Sequence, residues 1–194
     1  MKQYTFAVLS LIVSGSLGFA QTLPDAIKKT DNERYEEAAK DYRALLSKTD
    51  VNAGDVHFFF GENFFQADDL DSAIIIWNKG VAANPENQLS IVGKGKALWL
   101  SGDTTAASVI FQDVLKASKR RNPEVMRQIA SVFIYSPVKS LAQSVALLNE
   151  VIKIEPKNQT SYLLMGDAQV EINPRNSSEA MKYYNNAGEI SNNA

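Results

Sequence analysis

The sequence predicts an all-α chain, a solenoid of about five stacked helix-turn-helix units, and three observations carry that prediction. Gly61 and Gly95 lie 34 residues apart; each is followed 12 residues later by an alanine, Ala73 and Ala107, and four further on by an aromatic, Trp77 and Phe111. A period of 34 is the spacing of two antiparallel helices repeated as a unit. Turn-forming stretches recur at fixed places inside it, Ala67-Asp68-Asp69-Leu70 and Ser101-Gly102-Asp103-Thr104, and Asn84-Pro85 closes the first of these two units. Strand-like alternation is scarce, and the long segments carry helix formers at a 3.6-residue period. Phe58-Phe59-Phe60 and Ile74-Ile75-Ile76 would each suit a short buried strand, but their fixed places in the repeat argue for helix.

The units follow in order along the chain. Residues 1–20 read as a secretory leader: Lys2, a short apolar stretch from Phe6 to Val13, then small residues at Gly18 and Ala20 that fit cleavage after Ala20. That stretch is shorter than the roughly 20 apolar residues a membrane-spanning helix needs. Residues 21–194 form the repeat domain. Thr22 to Lys29 makes a poor first helix that suits a cap, and Tyr35, Ala38, Tyr42 and Leu45 follow as a second helix. Residues 54–87 and 88–121 are the strongest units, with Gly set against Ala and an aromatic below, so that small meets large across the helix pair. Lys119-Arg120-Arg121-Asn122 reads as an insertion that delays the closing proline of the second of them to Pro123. A fourth unit holds Ala130, Phe133, Ser144, Leu148, Val151 and Pro156, with a lengthened turn at Ser136-Pro137-Val138-Lys139. A fifth holds Tyr162, Met165-Gly166, Ala180, Tyr184 and Ala187, with a long turn at Asn173-Pro174-Arg175-Asn176.

In this register the chain resembles the tetratricopeptide repeat family, whose pattern runs large residue, Leu-Gly, Tyr, Gly-rich turn, Ala, aromatic, Ala, Pro. In residues 54–87 those places hold His57, Phe60-Gly61, Phe64, Asp68, Ala73, Trp77, Gly80 and Pro85; in 88–121 they hold Ile91, Lys94-Gly95, Leu98, Gly102, Ala107, Phe111 and Val114. The resemblance implies a right-handed superhelix whose first helices line a concave groove that holds a protein or peptide ligand. Projection onto that pattern turns Phe58, Glu62 and Phe65, then Val92, Lys96 and Trp99, then Arg127, Ser131 and Ile134 toward the groove. Phe65 and Trp99 would anchor an apolar peptide or helix, and Glu62 and Lys96 would orient it. Members that hold carboxylate-ended chaperone tails use Lys and Asn at groove places where this chain has Phe58, Val92, Glu62 and Lys96, so that activity is not implied.

Composition bounds the remaining functions. Without the leader the chain carries 19 basic and 22 acidic residues, a net charge of −3 that gives no support for nucleic acid. With no cysteine there is no disulfide, thiolate metal site or lipid-anchored cysteine, so a stable membrane anchor is not expected, and export without disulfides points to a bacterial periplasm, with secretion from the cell as the alternative. The single histidine, His57, has no second His or Cys to join it and falls at a packing position, so neither a histidine metal site nor a catalytic triad is expected. Gly93-Lys94-Gly95-Lys96 lacks the glycine spacing and following Ser or Thr of a phosphate loop, and Asp68-Asp69-Leu70-Asp71 lacks the alternating ligands of a calcium loop. No cofactor follows from any of these. Lys116, Lys119, Arg120 and Arg121 cluster where positive charge complements a helix C-terminus and could also meet an anionic partner. The reading is therefore a non-enzymatic interaction scaffold. Its alternatives are a self-associating spacer stacked end to end and an enzyme with an unrecognised carboxylate pair.

Overall fold

The structure is a computed structural model that describes residues 22–192; the leader expected at residues 1–20 lies outside them. Among the described residues ten helices follow one another: α1 (Leu23–Asp31), α2 (Tyr35–Leu46), α3 (Ala53–Gln66), α4 (Leu70–Ala83), α5 (Gln88–Leu100), α6 (Thr104–Ala117), α7 (Pro123–Tyr135), α8 (Leu141–Ile154), α9 (Gln159–Ile172) and α10 (Ser178–Asn192). Each odd helix pairs with the even helix after it, and each odd helix also packs on the next odd one, α1 on α3 through to α7 on α9. The result is a solenoid of five tetratricopeptide-like helical hairpins. Among the described residues no strand forms, so the Phe58–Phe60 and Ile74–Ile76 runs are helical.

Each hairpin repeats the same three positions. A small residue on the first helix (Ala26, Gly61, Gly95, Ala130, Gly166) faces a large one on the second (Tyr42, Trp77, Phe111, Leu148, Tyr184), and a second small residue sits one turn before it (Ala38, Ala73, Ala107, Ser144, Ala180). The pairing is steric. A Cβ added to Gly61 would lie 2.2 Å from Trp77 Nε1, and one added to Gly95 would lie 2.4 Å from Phe111 Cε1. In the fourth unit the opposing side chain is Leu148, and there the small residue is Ala130.

The helix ends follow from local chemistry. Asn52, Asn87, Asn122 and Asn158 cap α3, α5, α7 and α9, each side-chain oxygen accepting a backbone N–H of the first turn. Asn87 Nδ2 also donates to Asp55 Oδ1 at 2.7 Å, and Asn122 Nδ2 to Gln88 Oε1 at 2.8 Å, which ties consecutive inter-repeat loops together. Within the first three hairpins the turn passes through one left-handed residue, Glu33 (φ 59), Asp68 (φ 60) and Gly102 (φ 93). The next N–H closes onto the carbonyl five residues back, Arg34 to Lys29, Asp69 to Phe64 and Asp103 to Leu98.

The segment after α6 corrects one expectation. Lys119 ends α6 by the same left-handed cap, with Arg120 N–H bonded to Leu115 O at 2.9 Å, and Arg120 is itself left-handed (φ 52). Asn122 and Pro123 then begin α7, Pro123 in its first turn. Pro123 is therefore an opening proline, not a delayed closing one, because a helix N-terminus has no use for the N–H that proline lacks. The lengthened turn at residues 136–140 folds back, so that Trp99 Nε1 donates to Val138 O at 2.9 Å.

Candidate functional site

The odd helices leave a concave groove of about 420 Å³ that runs across all five units. Its floor is one repeat position read along the chain, one residue past the small residue of the first helix in four of the units: Ile27, Glu62, Lys96 and Ser131; Asp167 holds that position in the fifth. Its walls come from the same helical face, with Phe59 three residues before Glu62 and Gln66 four after it, and Gln128 and Tyr135 placed likewise around Ser131.

The two charged groups at the middle of the floor, Glu62 and Lys96, neutralise each other. Lys96 Nζ donates to both carboxylate oxygens of Glu62, at 2.7 and 2.9 Å, with the two residues only 5% and 9% exposed. The same ammonium lies 4.3 Å from the Phe65 ring centre and 5.2 Å from that of Trp77, a cation over two ring faces. Arg127 reaches Glu124 at 2.5 Å and also pairs with Glu155. Burial alone would lower that guanidinium's pKa, but the two carboxylates outweigh it and raise it. At the far end Asp167 accepts from Tyr184 Oη at 2.7 Å and from Tyr135. Desolvation first, then the Asp167 carboxylate, pushes Tyr184 up to about 12 and raises Tyr135 as well. Asp31, at the near end, has its carboxyl raised by burial.

The expected groove residues divide along helical geometry. Glu62, Phe65, Lys96, Arg127 and Ser131 line the groove. Phe58, Val92 and Ile134 do not: each is fully buried between repeats. Trp99 is 6% exposed, packs at a tilt against Phe133 with ring centres 4.9 Å apart and bonds the 136–140 turn, so it belongs to the core. The physical reason is angular. Positions 58, 92 and 134 lie on the face turned toward the neighbouring unit, while the groove belongs to the face holding 59, 62 and 66; 65 and 127 sit at the border between the two and reach the groove edge. Glu62 and Lys96, expected to orient a ligand, instead hold each other.

Sequence reasoning missed Gln66, Gln128, Asn158 and Thr160, the amide and hydroxyl groups that remain on the groove surface. Their signal was there: polar side chains three or four residues from Glu62 and Ser131, on helices otherwise rich in apolar residues. The asparagine caps were also legible, since Asn52, Asn87 and Asn122 recur at intervals of 35. Of the basic cluster, Arg120 is bonded to Glu150 at 2.6 and 2.7 Å, and Lys116, Lys119 and Arg121 are exposed. His57 bonds Ala53 O through Nδ1 at 2.7 Å and packs near Gly80, a structural place. Among the described residues no group of three or more metal-ligating side chains converges.

The class that fold and groove define is an array of tetratricopeptide-like helical hairpins with a concave surface. No protein-family model and no curated protein matches the chain. Among solved structures it is similar to MamA residues 41 to the end from Desulfovibrio magneticus RS-1, with 14% identity, 87% of this chain and 97% of that chain covered, and a TM-score of 0.49. It is similar to MamA AMB-1, at 15% identity over 91% and 99% of the two chains with a TM-score of 0.48. YrrB, described as a tetratricopeptide protein with an unusual peptide-binding site, aligns at 16% identity over 85% and 82% with a TM-score of 0.46. At TM-scores below 0.5 these likenesses add nothing to the repeat register read from the chain's own packing.

Proposed function

We propose that the chain is a non-enzymatic interaction protein of an exported compartment, and that its concave groove holds an extended peptide segment of a partner protein. The observation that carries this reading is a groove in which Glu62, Lys96, Glu124 and Arg127 are held in ion pairs while Gln66 and Thr160, the Gln128 amide oxygen and the Asn158 amide nitrogen keep hydrogen-bonding capacity. Paired charges offer little to an ion, but Gln66 on α3, the Gln128 amide oxygen on α7, and the Asn158 amide nitrogen and Thr160 at the start of α9 offer donors and acceptors along the groove. Those groups suit a peptide backbone, and Ile27, Phe59 and Leu164 between them give apolar side chains a place to rest. The ion pairs of Glu62 with Lys96 and of Arg127 with Glu124 and Glu155 occupy those groups, which supports binding over catalysis. Selection from a random peptide library against the immobilised chain tests the reading. Wild type should enrich a motif that Ser131→Trp, which fills the floor, fails to hold; equal enrichment by both would count against the groove.

Export rests on the leader at residues 1–20. The mass of the chain isolated from the exported fraction should begin at Gln21, and a chain retained whole in the cytoplasm would reject this part.

Self-association is a second reading with its own observation. Leu163 and Val170 occupy in α9 the places that Phe58 and Phe65 hold in α3, yet they are 40% and 36% exposed. Light scattering over a concentration series would show it: a Leu163→Lys, Val170→Lys variant should lose mass relative to wild type, and a wild-type monomer throughout would remove it.

A further inference from the structure

We propose that a second site, separate from the groove, lies in a slot between α6 and α8 and takes a small apolar acid: one ring or a short alkyl chain carrying a single carboxylate. The slot shares no lining residue with the groove. Phe111, Leu115, Ile129, Phe133 and Leu147 form its apolar wall, and its volume is about 170 Å³. A cavity of about 150 Å³ with aliphatic and aromatic walls is enough to hold benzene, so the space fits one ring and little more.

The slot has a structural origin. Because α6 stops at the left-handed pair Lys119 and Arg120, α7 starts displaced from it, and the two helices meet at far fewer places than α4 and α5 or α8 and α9 do. The apolar faces of Phe111 and Leu147 are thus left with a gap that the other inter-repeat junctions close.

Charge at the rim selects the occupant. Arg120 lines the mouth and is bonded to Glu150, whose carboxyl is held below its usual range by that hydrogen bond and further by Lys153. Lys116, Lys119 and Arg121 flank Arg120, are exposed, and make no ion pair among the described residues. Arg120 is the charged residue of the lining, its charge matched by Glu150, and the exposed Lys116, Lys119 and Arg121 lie within four residues of it in the chain, with Asp113 the nearest carboxylate on α6. Even after the partial negative charge at the α6 C-terminus, positive charge remains in excess. Gln112 and Gln143 on the wall add amide donors for a carboxylate. An apolar floor under a cationic rim matches an amphiphilic anion, not a neutral ring or a bare inorganic one.

The test titrates the isotope-labelled chain with phenylacetate, benzyl alcohol and sulfate, following backbone amide shifts. Phenylacetate should move the amides of Phe111, Ile129 and Leu147 saturably, benzyl alcohol should bind at least several-fold more weakly, and sulfate should not compete. Ala146→Leu, at an exposed lining residue, should weaken phenylacetate at least tenfold without loss of helicity. Lys119→Gln with Arg121→Gln should weaken it several-fold and reduce its salt dependence. Equal binding of benzyl alcohol, full competition by sulfate, no shift at these residues, or indifference to Ala146→Leu would each overturn the proposal.

Discussion

Removing the ammonium from the Glu62–Lys96 pair should cost far more than a surface ion pair could return. Both residues are under a tenth exposed, and Lys96 supplies a hydrogen bond to each oxygen of Glu62. In Lys96→Met the Glu62 carboxylate keeps its burial and loses its counter-charge, a situation that costs about 3–5 kcal/mol. Glu62→Gln is milder, because the ammonium keeps an amide oxygen as acceptor and still faces the Phe65 and Trp77 rings. A desolvated cation over an aromatic face retains about 2 kcal/mol, so this variant should lose only about 2 kcal/mol. The double variant Glu62→Leu, Lys96→Met removes both charges and should return to within about 1 kcal/mol of wild type or exceed it. Urea unfolding at constant m-value measures all three. A Lys96→Met cost below about 1 kcal/mol would refute the buried, mutually satisfied pair, since that is the range of exposed pairs. A larger loss in Glu62→Gln than in Lys96→Met would refute the role given to the rings.

Other outcomes follow from the repeat register and the turns. Gly61→Ala should cost about 1–3 kcal/mol by driving a methyl into Trp77, while Ala130→Gly, at the same register position opposite Leu148, should cost only the roughly 1 kcal/mol of a helical glycine; equal and small losses in thermal unfolding would discredit the register. Gly102→Ala meets no neighbour, so its expected loss of about 1–2 kcal/mol is purely the left-handed backbone, and Asp68→Gly should gain up to about 1 kcal/mol at the equivalent turn. Denaturant midpoints that move the other way would contradict that assignment. Alkaline stability should fall because Tyr42, Tyr135 and Tyr184 all have raised folded pKa values. A raised value contributes stability below the unfolded pKa of about 10 and loses it as pH climbs, for Tyr184 through about 12. Ultraviolet absorbance of tyrosinate should therefore rise together with loss of helicity; ionisation of these three in a fully helical chain at pH near 10 would contradict it.

The fold was readable because the small-to-large contact repeats in every unit. Gly61 with Trp77 and Gly95 with Phe111 are local pairs 16 residues apart, so the spacing alone exposes them. The groove was harder, since its face differs from the inter-repeat face by a single helical step. Phe58 and Glu62 are both plausible inward residues on paper, and only packing against the next unit separates the buried one from the lining one. Aromatic character misled most at Trp99, where an apparent anchor bonds a turn 39 residues away that no local pattern announces. Pro123 was misplaced for a related reason: a proline near a repeat boundary can close one helix or open the next, and the left-handed cap at Lys119 decides between them.

The most direct test of the groove as the partner surface is site-specific photo-crosslinking in the native cell. A photoreactive residue is placed at Gln128 in the groove, or at Ile75, exposed on α4 outside it. The account predicts a discrete protein adduct from Gln128 that is absent from Ile75 and is lost when Ser131→Trp fills the floor. Adducts from Ile75 alone, or a Gln128 adduct indifferent to Ser131→Trp, would contradict it.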